Sequence, residues 1–229
     1  MGLSLYRRNF ARRHFIVVGL ISAAAGISTA GGAATAGLKS RTFKTKTILV
    51  LGDSLSAEYG LKRGSGWVAL LEQKLKTEKN PAVVVNASIS GDTTSGGRSR
   101  LAALLETHQP SHVIIELGGN DALRGLALER SQENLTQMTQ TAQKAGARVL
   151  LLGMQVPPNY GKDYAAHFSA VFAEVAQRNK AALVPFLLKG IADQADSLKL
   201  FQADRIHPKE EAHPIILANV WPELQKILK

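Results

Sequence analysis

The 229-residue sequence contains no cysteine. That excludes a disulfide scaffold, a thiol nucleophile, a cysteine zinc site and a cysteine-ligated iron–sulfur cluster, and it leaves the compartment open. The sequence also lacks a long, strongly apolar run: the best, Phe15 to Ile21, is too short to favour a bilayer span. Acidic residues are missing from positions 1–46, which carry eight basic ones. The formal charge of +10 therefore gathers there, because 28 − 8 = 20 basic residues face 18 acidic ones over the remainder. A nearly neutral body without clustered Lys and Arg or interleaved aromatics offers no groove for a phosphate backbone. Nucleic acid is not an expected partner. What is present, 45% hydrophobic and 20% charged residues, suits one globular domain with a sizeable core.

The N-terminus has the three parts of an export signal. Arg7, Arg8, Arg12 and Arg13 precede an uncharged stretch from His14 to Leu38, which decays into small residues such as Ala34-Thr35-Ala36. Residues 1–36 are expected to be a signal peptide, 37–46 a basic linker and 47–229 the folded domain; cleavage after Ala25 or Ala30 is an alternative. The paired arginines resemble a twin-arginine signal, and an ordinary secretory signal is equally compatible. Either route predicts export, to the periplasm of a bacterium. The rival reading keeps the segment uncleaved as a membrane anchor.

Beyond Thr47, short apolar runs at 47–51, 82–87, 112–117, 148–154 and 181–184 read as buried parallel strands. Helical periodicity fills 67–76, 98–107, 135–145, 164–179 and 211–228. This alternation predicts a parallel sheet covered by helices on both faces, with the site on loops at the carboxyl ends of the strands. Pro222 predicts a kink or break in the last helix, whereas Pro214 fits a first turn.

Four blocks carry the candidate chemistry. Gly52-Asp53-Ser54-Leu55-Ser56 follows the first strand and places a serine hydroxyl where a helix is expected to begin; by itself Ser54 reads as a helix cap. Ala87-Ser88-Ile89-Ser90-Gly91-Asp92-Thr93-Thr94 follows the second strand, and Gly91 is able to present its N–H to a ligand, or to serve a plain turn. Glu116-Leu117-Gly118-Gly119-Asn120-Asp121 ends the third strand, making Asn120 a candidate oxyanion donor. Asp204-Arg205-Ile206-His207-Pro208 sets a carboxylate three residues from an imidazole, the pairing that makes histidine a base toward serine.

Together the blocks resemble the lipase/esterase family named for its Gly-Asp-Ser-Leu motif, also called SGNH hydrolases. Asn86 to Thr93, Glu116 to Asp121, Leu123-Arg124-Gly125 and Pro157-Pro158-Asn159-Tyr160-Gly161 are similar to its bacterial thioesterase I/lysophospholipase L1/arylesterase branch, from about Ile48 to Leu228. The resemblance implies a flavodoxin-like three-layer α/β/α sandwich with a parallel sheet of about five strands. It implies Ser54 as nucleophile, His207 as general base and acid, and Asp204 as the residue orienting it. The implied oxyanion hole consists of the Ser54 N–H, the Gly91 N–H and the Asn120 side chain. Substrates would be small acyl esters or thioesters, including arylesters, acyl-CoA-like thioesters and lysophospholipid at a membrane surface, with neither metal nor organic cofactor. A carbohydrate O-acetyl ester is the alternative substrate; a binding module without catalysis is the other.

Arg205 departs from the branch, whose members often carry a small residue there, and is expected to face solvent or the cleft entrance. His108, His112, His167 and His213 read as surface or helix-end residues. Glu116 is expected in the site wall or in a strand-end salt bridge, and Asp53 is expected to orient local N–H groups. Loops 120–134 and 154–163 are expected to shape the acyl groove.

Overall fold

A computed structural model describes residues 46–78 and 81–229. The expected signal peptide and most of the expected linker lie outside the described residues. Five parallel strands form one sheet: β1 (Lys46–Gly52), β2 (Ala82–Asn86), β3 (His112–Glu116), β4 (Arg148–Leu152) and β5 (Ala182–Val184), in the order β2-β1-β3-β4-β5. Ile48 to Leu51 and Val113 to Ile115 are essentially inaccessible to water. Such strands are covered on both faces, which is why they read as continuous apolar runs rather than alternating ones. The order reverses between β1 and β3, whose register pairs Gly52 with Glu116. In open parallel sheets that switch point opens the crevice where ligands bind.

Helices α1 (Trp67–Thr77) and α6 (His213–Ile227) pack together on one face. On the other, α2 (Thr94–His108), α4 (Leu128–Lys144) and α5 (Lys162–Asn179) lie side by side, and the short α3 (Gly119–Leu123) follows β3. Trp67, Phe168 and Phe172 are the bulkiest fully buried side chains. Each fully buried side chain of this kind contributes roughly 2–3 kcal/mol. The three-layer α/β/α arrangement matches the expected fold.

Three local expectations need correction. No helix begins at Ser54: residues 54–60 form successive turns, with the Ser56 and Ala57 N–H groups donating to the Asp53 carbonyl at 3.2 and 3.0 Å. Both the helix-end and the helix-cap readings of Ser54 fall with it. Helix α6 runs through Pro222 without a break; its buried stripe of Ile216, Val220 and Leu224 outweighs one missing backbone donor. His112 is buried rather than superficial, and His213, which opens α6 as a helix-end residue, is buried as well. His112 lies between the Ser111 hydroxyl and the Ile227 carbonyl, and His213 Nδ1 accepts the Trp67 N–H at 3.0 Å.

Candidate active site

Ser54 follows β1 and His207 lies in the segment ahead of α6, 153 residues later, yet His207 Nε2 stands 2.9 Å from Ser54 Oγ. On the far side of the ring, His207 Nδ1 lies 2.7 Å from Asp204 Oδ2. The other oxygen of Asp204 accepts the backbone N–H groups of Ile206 and His207 at 2.9 and 3.0 Å. Partial desolvation would raise the Asp204 pKa, but these two N–H groups and the imidazole outweigh it and hold the carboxyl at about 2. It is a carboxylate throughout the neutral range, with both oxygens committed to one geometry.

The His207 segment is braced by a narrow hairpin in which Phe201 bridges Pro208. Gln202 N–H donates to the His207 carbonyl at 2.8 Å, and Gln202 Nε2 reaches both the Tyr59 carbonyl at 2.9 Å and the Pro208 carbonyl at 3.0 Å. The Tyr59 ring lies 4.3 Å from the imidazole, centroid to centroid. Gln202 thus straps the turns that carry Ser54 to the segment that carries His207. Sequence reasoning missed Gln202 and Tyr59, because each acts on a partner distant in the chain.

Gly91 follows β2 and Asn120 follows β3, the two strands that flank β1. Asn120 sits in α3, and its Nδ2 donates to Asp53 Oδ2 at 2.9 Å, beside the serine. Gly91 has a φ of +78°, a conformation that L side chains adopt at a cost. Its loop is fastened by Ile89 N–H to the Gly52 carbonyl at 3.0 Å and by Arg124 Nη2 to the Gly91 carbonyl at 2.9 Å. Of the five residues singled out in the sequence, Ser54, His207 and Asp204 are joined directly, Asn120 is tied to Asp53 next to Ser54, and the Gly91 loop is tied to the end of β1 at Gly52. Among the described residues Glu116 makes no salt bridge; its Oε2 takes the Asp53 N–H and the Ser56 hydroxyl, which favours the site wall of its two expected roles. Arg205 is exposed and holds a φ of +59°. The stretch 120–134 is largely α3 and the start of α4 rather than one loop.

Residues 50–215 match the model of the GDSL-like Lipase/Acylhydrolase family. The chain belongs to this family. Its relatives in the family include esterase TesA of Pseudomonas aeruginosa, 52% identical over 80% of this chain and 90% of that protein. Thioesterase 1/protease 1/lysophospholipase L1 of Escherichia coli is 39% identical over 82% and 88%. Among solved structures, a crystal structure of TesA superposes with a TM-score of 0.76 at 52% identity, covering 80% of this chain and 99% of that one. The psychrotrophic esterase EstA from Pseudoalteromonas sp., in a structure inhibited by monoethylphosphonate, gives 0.74 at 43% identity over 80% and 98%. The expected family, fold class and ester-hydrolase class of this GDSL acylhydrolase all hold.

Proposed function

We propose that this chain hydrolyses acyl esters and thioesters through an acyl-enzyme on Ser54. The carrying observation is the relay from Ser54 Oγ to His207 Nε2 at 2.9 Å and from His207 Nδ1 to Asp204 at 2.7 Å. His207 takes the Ser54 proton as the oxygen attacks the substrate carbonyl, and the resulting oxyanion is received by the Ser54 N–H, the Gly91 N–H and the Asn120 amide. As the C–O or C–S bond breaks, His207 returns that proton to the departing alcohol or thiol. Water, deprotonated by His207, then attacks the acyl-enzyme; the acid leaves and the proton returns to Ser54.

The rim supports an acyl substrate. Tyr59, Ile89, Leu123, Leu126 and Ile206 are among the exposed large apolar residues, and all lie on the segments that bear Ser54, Gly91, Asn120 and His207. Relatives named esterase, arylesterase and thioesterase/lysophospholipase support arylesters, acyl thioesters and lysophospholipids as the classes to assay. Export to the periplasm, with residues 1–36 removed, is part of this proposal and rests on the arginine-led signal layout.

The test is hydrolysis of p-nitrophenyl esters of graded chain length, with Ser54→Ala as the paired control. Turnover on medium chains that vanishes in the variant is expected. Turnover confined to acetyl esters would move the substrate to carbohydrate O-acetyl groups; turnover retained by Ser54→Ala would remove the nucleophile.

A further inference from the structure

Beside Ser54 lie two carboxyl groups that the acyl-transfer cycle leaves unused. Asp53 is 2% exposed and Glu116 is fully buried. Glu116 Oε2 accepts the Asp53 N–H at 3.2 Å and the Ser56 hydroxyl at 2.8 Å, while Ser56 Oγ in turn accepts the Trp67 indole N–H at 3.2 Å. Among the described residues no N–H or O–H donor reaches Glu116 Oε1. A dry carboxylate with a bare oxygen is far costlier than a neutral acid. Asp53 is provided for differently: Oδ1 accepts the Leu55 N–H at 3.0 Å and Oδ2 accepts Asn120 Nδ2 at 2.9 Å. The negative charge therefore belongs on Asp53 and the proton on Glu116.

The direction of each shift agrees with that division. Burial and then the Asp53 charge push Glu116 well above the ordinary carboxyl range. Burial raises Asp53 as well, but bonds from Leu55, Glu116 and Asn120 restrain it to about 6. The other ionisable groups facing the pair are His207, whose charge favours ionised Asp53, and Arg100 of α2, which reaches the Gly52 carbonyl at 3.4 Å. Gly52 leaves no room for adjustment, since a Cβ there would stand 2.8 Å from Ser56 Oγ and 2.9 Å from Glu116 Oε2.

We propose that Asp53 and Glu116 form a positioning pair for the oxyanion hole. The Asp53 carboxylate fixes the Asn120 amide with its nitrogen, not its oxygen, facing the site, and neutral Glu116 fixes Asp53. A flipped amide would set its carbonyl oxygen against the Asp53 carboxylate, so the bond selects the orientation that donates to a developing oxyanion. The inference rests on the reading of Asn120 as an oxyanion donor.

A double-mutant cycle on the full chain tests it, with kcat and KM measured for wild type, Asp53→Asn, Asn120→Ala and the double variant. Asp53→Asn is expected to lower kcat by about 10- to 100-fold with KM within about threefold, since one misaimed donor costs somewhat less than the 10²–10³ of a deleted one. In the Asn120→Ala background the same change should cost less than about threefold. Undiminished kcat in Asp53→Asn, or fully multiplicative losses in the double variant, would overturn the pair. If Asn120→Ala itself keeps full turnover, it is the oxyanion reading that has failed. Glu116→Ala should lower kcat and Glu116→Gln should restore most of it; equal losses would refute a neutral Glu116. Should Asp53→Asn not fold, the Asn120 side-chain amide is followed by NMR in wild type. A downfield proton that moves back as pH falls through about 6 is expected; one insensitive to pH over that range in a His207→Ala background contradicts the proposal.

Discussion

Two aspartates serve the two ends of this site and are driven in opposite directions. Asp204 is partly exposed, three residues from its histidine, and nearby N–H donors hold it at about 2. Asp53 is buried beside a second carboxyl from another strand and is lifted to about 6. The histidine end is thus assembled locally, by a tight turn that carries its own counter-charge. The serine end is assembled from β1, β3 and α3, and keeps a charge in a dry place. Proximity to a reacting atom does not set a carboxyl's proton affinity; the balance of donors against lost water does.

The largest effect expected from breaking this contrast is at the local end. Asp204→Asn removes the acceptor for His207 Nδ1 and should lower kcat by about 10⁴-fold through the wrong tautomer, measured on p-nitrophenyl butyrate. Because Asp204 is held at about 2, its own titration should not set the acid limb of the wild-type pH profile above pH 4.

Next comes the pH dependence of stability. Asp53 has a folded pKa above its unfolded one, so its contribution is fully present below about 4 and is lost as pH rises through about 6. A rise of that size is worth roughly 3 kcal/mol at most. Urea midpoints from pH 4.5 to 8 should fall with pH in wild type and fall less in Asp53→Asn; parallel curves would show Asp53 to be unperturbed. Gly91→Ala forces an L residue to a φ of +78°, which should cost about 1–2 kcal/mol in thermal unfolding together with a loss of kcat. Gln202→Ala cuts the strap between the two ends, two bonds worth about 1 kcal/mol each, and should lower kcat by about 3- to 10-fold with the fold intact by circular dichroism. Smallest is Arg205→Gly, which relieves an exposed positive-φ residue and should stabilise by about 0.5 kcal/mol in the same unfolding assay.

These differences also explain what the sequence made legible. The strands were readable to within a residue or two because Ile48 to Leu51, Val113 to Ile115 and Val149 to Leu152 are uninterrupted apolar runs buried on both faces. Asp204 and His207 were readable because their partnership is local. The start of α4 at Leu128 was not, since part of its buried face is polar. Ser131 and Asn134 join Asp121 and Thr94 in a hydrogen-bonded cluster that no hydrophobic period reveals. The same network anchors the start of α2 at Thr94, ahead of the apolar residues that suggested Arg98. Helix α3 has only five residues and opens on glycine, leaving no period to detect. The Asp53–Glu116 pairing was hidden because two carboxyls 63 positions apart declare themselves only once β1 and β3 lie side by side.

The most direct test of the central claim is rapid quench of the full chain with a p-nitrophenyl ester, followed by peptide mass spectrometry. An acyl adduct on Ser54 that forms within the burst, and is absent from Ser54→Ala, is the predicted result. An adduct on another residue, or hydrolysis that persists undiminished in Ser54→Ala, would contradict the account.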